Sequence, residues 1–89
     1  MRDTIRHGRR VRSGGVVLHF VAGTDATRAT VVAGRAIGAS VTRHRRQRQL
    51  RHALAAMWEE LPAGALVVRA VPDASTEPAG DLRRAVRKL

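Results

Sequence analysis

Seven arginines, Arg28, Arg35, Arg43, Arg45, Arg46, Arg48 and Arg51, stand between Asp25 and Glu59 with no acidic residue among them. A guanidinium keeps its charge at physiological pH and presents a planar fork of donors that fits a phosphate. The chemistry suited to this window is polyanion binding. Reaction chemistry has less to stand on. The acids Asp3, Asp25, Glu59, Glu60, Asp73, Glu77 and Asp81 are scattered, with no carboxylate cluster for acid–base or metal work. His44 and His52 lie about two helical turns apart, and the four histidines lack metal-ligand spacing. Cysteine is absent, which excludes a disulfide framework and a thiolate metal site. Gly34-Arg35-Ala36-Ile37-Gly38 matches neither a dinucleotide-binding nor a Walker loop. A reaction served by this chain draws its catalytic groups from a partner.

The arginines need an element to hold them. Neither Pro nor Gly occurs from Val41 until Pro62, and Ser40 and Thr42 are candidate N-caps. Leu50, Leu54, Met57, Trp58 and Leu61 recur at three- and four-residue steps, and Ala53 joins them on one face. His44, Arg45, Arg48, Arg51 and His52 fall on the opposite side. The spacing predicts one helix, basic in its first half and apolar in its second, ended by Leu61-Pro62-Ala63-Gly64. Its charges oppose its own stability. Cations near a helix N-terminus work against the macrodipole, and Arg45, Arg48 and Arg51 repel at i,i+3. A polyanion lying across that end would remove both penalties and use the free backbone N–H groups there.

Strands surround this helix. Val16-Val17-Leu18-His19-Phe20-Val21 reads as a strand, with Val16, Leu18 and Phe20 on one face and Val17, His19 and Val21 on the other. His19 is either a satisfied structural residue or a groove-facing ring able to stack on a base. Arg28 to Val32 or Gly34 is a second strand, and its short link through Gly23-Thr24-Asp25 favours an antiparallel hairpin with the first. Leu66–Val71 is a third strand, and residues 9–13, before the Ser13-Gly14-Gly15 turn, are either a further short strand or a disordered basic arm. After a polar loop, Asp81 caps a last short helix, Leu82–Leu89, with Leu82, Val86 and Leu89 in register. The fold class is α/β, an α+β sandwich. A small mixed sheet of three or four strands is packed by the long arginine-rich helix and a short C-terminal helix.

Eighty-nine residues with a formal net charge of +10 make one small basic domain over residues 1–89. That balance points to nucleic acid or an anionic membrane surface. No apolar run approaches the ~18 residues of a membrane span, and the N-terminus lacks an apolar signal core. The flanking strands need the helix's apolar stripe as their core, which leaves none for a bilayer. The reading is a cytoplasmic protein with no membrane partner.

Gly38-x-x-Val41-x-Arg43-His44-Arg45-x-x-Arg48-x-x-Arg51 resembles the signature of the protein subunit of bacterial ribonuclease P. Arg35-Ala36-Ile37-Gly38 matches its lead-in, and Gly8-Arg9-Arg10-Val11, Val16–Val21, Leu66–Ala74 and Leu82–Leu89 fit the family's outer elements. The resemblance implies an α/β sandwich with a left-handed βαβ crossover. It also implies an endoribonuclease subunit whose catalytic RNA, with Mg²⁺, cuts the 5′ leader from precursor tRNA. The protein itself then holds no catalytic group and no metal. By the same resemblance, Arg35, Arg43, His44, Arg45, Arg48 and Arg51 bind RNA, with His44 in place of the family's Asn and Gln47 in place of its Lys, and Arg46 joins them as a further cation of the basic helix. Val17, His19 and Val21 would line the leader groove, and Arg9, Arg10 and Arg12 are candidates for further phosphate contacts. The family begins with a helix carrying a Phe at that groove. Only Met1–His7 precede Gly8 here, without Phe, so either that helix is truncated or the true start lies upstream, and extra exposure around Val17, His19 and Val21 is expected. The alternative is a non-catalytic basic RNA-binding module, such as a ribosomal or nucleoid protein, for which the same helix physics would serve.

Overall fold

The computed structural model describes residues 8–23, 26–72 and 77–89. Expectations that fall on 1–7, 24–25 and 73–76, the short N-terminal stretch among them, lie outside the described residues. Four strands form one sheet: β1 (Arg9–Ser13), β2 (Val16–Ala22), β3 (Arg28–Ala33) and β4 (Gly64–Ala70). Among the described residues, two α-helices, α1 (Ser40–Ala56) and α2 (Pro78–Arg87), share a single core with one face of it. β2 contributes Val16, Leu18 and Phe20 to that core, β4 contributes Leu66, Val68 and Ala70, and the helices add Leu50, Leu54, Leu82 and Ala85. Each fully buried leucine of this set stabilises the fold by about 1.5–3 kcal/mol.

β1 and β2 form a two-residue hairpin, with Ser13 opposite Val16. The sheet order is β1-β2-β4-β3. β4 runs antiparallel to β2 and parallel to β3, so α1 is the crossover of a βαβ unit. The hairpin expected between β2 and β3 does not form, because β4 lies between them. Leu66-Val67-Val68 is buried at every position, which suits a strand paired on both sides. β3 exposes Arg28 and Thr30, and charged or polar side chains of that kind suit a sheet edge.

The helix ends depart from expectation in ways that matter later. Neither Ser40 nor Thr42 caps α1. The N-cap is Ala39, which has no side-chain oxygen, and Ser40 Oγ instead accepts a hydrogen bond from Arg43 Nη2 at 3.0 Å. α1 stops at Ala56, where the Met57 N–H donates to the Leu54 carbonyl at 3.2 Å, and a 3₁₀ turn over Trp58–Glu60 follows. Such a turn advances about 120° per residue instead of about 100°, and this rotates Trp58 off the apolar stripe. Met57 and Leu61 stay buried, but Trp58 is 43% exposed and is not a core residue.

α2 starts earlier than Leu82. Pro78 occupies its first turn, where the fixed φ is favourable and no N–H is missed. Asp81 is therefore not the N-cap. It lies inside the helix, 2% exposed. Its Oδ2 accepts from the Gly15 N–H at 3.0 Å and the Glu77 N–H at 3.2 Å, while Oδ1 pairs with Arg84. That carboxylate ties the start of α2 to the β1–β2 turn.

Candidate nucleic-acid interface

The exposed side of α1 carries His44, Arg45, Arg48, Arg51 and His52. Arg43, Arg46 and Gln47 are half-buried, one turn before Leu50 enters the core. From Arg43 to Arg51 the helix rises about 12 Å. Arg35 is exposed on the 3₁₀ turn Arg35–Ile37 that leads into it. Gly38 joins the two with φ +134, an angle that L side chains rarely adopt. A Cβ there would meet Thr42 only at 3.6 Å, so the backbone angle, not space, calls for glycine.

Among the described residues, no acidic side chain forms an ion pair with these arginines. The first turn of α1 has no Asp or Glu, and the ion pair among the described residues, Arg84 with Asp81, belongs to α2. Arg43 Nε and Arg46 Nη1 are buried atoms with no hydrogen-bond partner among the described residues. Buried guanidinium donors normally find acceptors. Arg43 reaches Ser40 in the first turn of α1, where the first backbone N–H groups have no partner within the helix. The arrangement presents donors and positive charge without acceptors, which is what a phosphate chain requires.

A second surface lies on the sheet face away from the helices. Cross-strand register places Arg10 opposite His19, Arg12 opposite Val17, and Arg69 on the other side of Val17. β3 adds Arg28, Thr30 and Val32 to the same face. Val17, His19 and Val21 thus share this face with four arginines. The expected exposure of this strip holds only in part. Val17 is buried at 2%, and His19 and Val21 are half-buried. Val17 sits between Arg12 and Arg69, and arginine stems cover apolar neighbours while keeping their heads in water. Burial, then Arg10 and Arg69, lower the His19 pKa below its ordinary value.

Of the three arginines of β1, Arg9 stands apart. It pairs with Phe20 on the helix side, and its guanidinium donates to the carbonyl oxygens of Lys88 and Leu89. Arg12 Nε donates weakly to the Gly14 carbonyl at 3.4 Å. Arg28 was read from the sequence only as one cation of the acid-free window, not as part of this face, and Arg69 was not singled out. An arginine at the alternate position in Val67-Val68-Arg69-Ala70 was a usable signal that this strand has one wet face. Arg28 gave none until strand order placed it. Among the described residues, no group of three or more His, Cys, Asp or Glu side chains could hold a metal ion, and no helix is long and apolar enough to cross a membrane.

Comparison with known proteins agrees with this layout. The family model for Ribonuclease P matches residues 2–89. The "Ribonuclease P protein component" of Corynebacterium diphtheriae is 45% identical over 95 residues, covering 97% of this chain and 80% of that protein. The protein of the same name from Corynebacterium jeikeium is 37% identical over 110 residues, covering 97% and 85%. Among solved structures, Staphylococcus aureus RNase P protein superposes with a TM-score of 0.85 at 16% identity, covering 98% of this chain and 85% of that one. The Thermotoga maritima RNase P protein gives 0.82 at 18% identity, covering 97% and 87%. At such identities the structural likeness speaks for the fold, a four-stranded mixed sheet with two helices. The sequence matches carry the classification: the chain belongs to the Ribonuclease P family.

Proposed function

We propose that this chain, read over residues 1–89 as one RNA-binding domain, is the protein component of a bacterial ribonuclease P and assists removal of the 5′ leader from precursor tRNA. The observation that carries the reading is the arginine array of α1, which has no acidic partner among the described residues. Arg35, Arg43, His44, Arg45, Arg46, Arg48 and Arg51 engage the phosphates of the catalytic RNA. The open sheet face receives the single-stranded leader, with Val17, His19 and Val21 as its floor and Arg10, Arg12, Arg28 and Arg69 as its phosphate contacts. Backbone phosphates fix position there, and stacking on His19 tolerates any base. Cleavage belongs to the RNA subunit with its Mg²⁺. The described residues of this chain offer no fitting ligand set, so no step is routed through a protein-held metal. The work would take place in the cytoplasm.

The test is precursor-tRNA cleavage by the cognate RNA subunit at low Mg²⁺, with and without this protein. Added protein is expected to raise the cleavage rate and to bind with strong salt dependence. Neutralising ~6–10 duplex phosphates would lose about 10³–10⁵ in affinity between 50 and 200 mM salt. Arg45→Ala and Arg48→Ala should each weaken binding and lower the salt slope by about one contact. No stimulation of cleavage, or affinity nearly flat in salt, would refute the proposal.

A further inference from the structure

Between α1 and the start of α2 runs a groove of about 700 Å³, open to solvent on one side. It shares Arg45, Arg48 and His52 with the basic side of α1 and adds a second wall from α2 that neither basic surface includes. One wall carries Arg45, Arg48 and His52, with Gln49 between them, one face of α1 over about two turns. The facing wall is Glu77, Pro78 and Ala79. The groove's polar side chains make no hydrogen bond to another described residue.

We infer that this groove holds a single unstacked nucleobase of the bound RNA, and that Glu77 selects a base bearing an exocyclic amino group. The inference rests on the proposal that α1 binds RNA. Charge orders the groove along one direction. Arg45 and Arg48 attract a phosphate to the α1 rim. Glu77 repels phosphate from the α2 rim, so the base is directed toward α2. The imidazole of His52 and the rigid ring of Pro78 offer flat apolar surfaces for stacking, as splayed bases in single-stranded RNA require. The Glu77 carboxylate is acceptor-only when ionised. It accepts from an amino group, as from cytosine N4, and meets only a repelling carbonyl at the corresponding edge of uracil. Gln49 can donate or accept and so does not discriminate.

The experiment compares binding of single-stranded rC8 and rU8 oligonucleotides to the full chain at neutral pH, over a salt series. Wild-type protein should bind rC8 about 5-fold or more tighter than rU8, the lower end of discrimination by a well-placed base contact. Glu77→Ala should collapse that ratio toward one without weakening rU8. Glu77 is exposed and its side chain makes no capping bond to α2, so the variant should fold. Ala79→Trp, at an exposed position, should fill the groove and also abolish the ratio. Arg48→Ala should weaken both oligonucleotides equally and keep the ratio. Equal binding of the two by wild type, or a ratio that survives Glu77→Ala, overturns the inference. Affinity for both that is flat in salt overturns the underlying electrostatic reading instead.

Discussion

Replacing Asp81 by alanine removes a carboxylate that is 2% exposed and holds two chain segments together. Its Oδ2 receives the N–H of Gly15 at 3.0 Å, and that residue is itself buried in the β1–β2 turn. No other acceptor is in place for this donor, and an unsatisfied buried group costs about 1–3 kcal/mol. The Glu77 N–H, at 3.2 Å, is only partly buried. Water can replace the carboxylate there, leaving about 0.5–1.5 kcal/mol. The Arg84 side chain is 56% exposed, so its pairing with Asp81 adds about 0–1 kcal/mol. The expected loss is about 2–5 kcal/mol. At ~4–8 °C per kcal/mol for a domain of this size, Tm should fall by roughly 8–40 °C. Asp81→Asn keeps one acceptor oxygen and should lose less. Arg84→Ala removes the ion pair and the hydrogen bond from Arg84 Nε to Ser13 Oγ at 3.2 Å but leaves both captured N–H groups in place, so it should cost less than Asp81→Ala, about 0.5–2.5 kcal/mol. Thermal unfolding followed by circular dichroism measures all three. An alanine variant melting within a few degrees of wild type would refute the reasoning, because the Gly15 N–H would then have found another partner at no cost. Gly14 offers an independent check. A Cβ there would come within 2.5 Å of Asp81 Oδ1, and φ is +54, so Gly14→Ala should destabilise through the same junction.

Leu54→Ala should lose about 2–5 kcal/mol in urea titrations, because Leu54 is 4% exposed in the core between α1 and the sheet. Arg48→Ala, on the opposite side of the same helix, should change stability by no more than about 0.5 kcal/mol. An Arg48→Ala variant that unfolds would reverse this face assignment. His19 has its folded pKa lowered by burial and by Arg10 and Arg69. A depressed histidine contributes stability that is complete above its unfolded pKa, near 6.5, and is lost as pH falls through that value toward the folded one. Urea midpoints should therefore be lower at pH 5.5 than at pH 7.5, and His19→Gln should narrow the gap. An unchanged gap in that variant would show that other groups carry the acid sensitivity.

The reach of the sequence followed the range of the forces involved. The arginine helix was legible because charge, the Leu50/Leu54/Met57 spacing and the absence of Pro and Gly are local properties. β2 and β4 were legible as runs of β-branched residues between turn signals, and the alternation along β2 correctly assigned Leu18 and Phe20 to the core and His19 to the other side. Trp58 was misplaced because the pattern assumed an unbroken α-helix, and the tightened turn after Ala56 changed the angle per residue just before it.

What only the tertiary structure decided depends on contacts distant along the chain. A short link between β2 and β3 suggests a hairpin, but loop length limits reach and does not choose a partner. β4 entered between them because a strand buried at Leu66, Val67 and Val68 gains more from two neighbours than the polar-edged β3 would. That insertion brought Arg69 beside Val17, and set Arg28 on the same face as Arg10 and Arg12. The role of Asp81 was equally hidden. Its cap-like position in the sequence is real, but its Gly15 partner lies 66 residues away and meets it only once α2 packs against the β1–β2 turn. Local periodicity and charge determined which segments become helix or strand and which of them is basic. Burial of the sheet determined which arginines stand together and which carboxylate becomes a structural tie, since both require surfaces that exist only after the strands have chosen their neighbours.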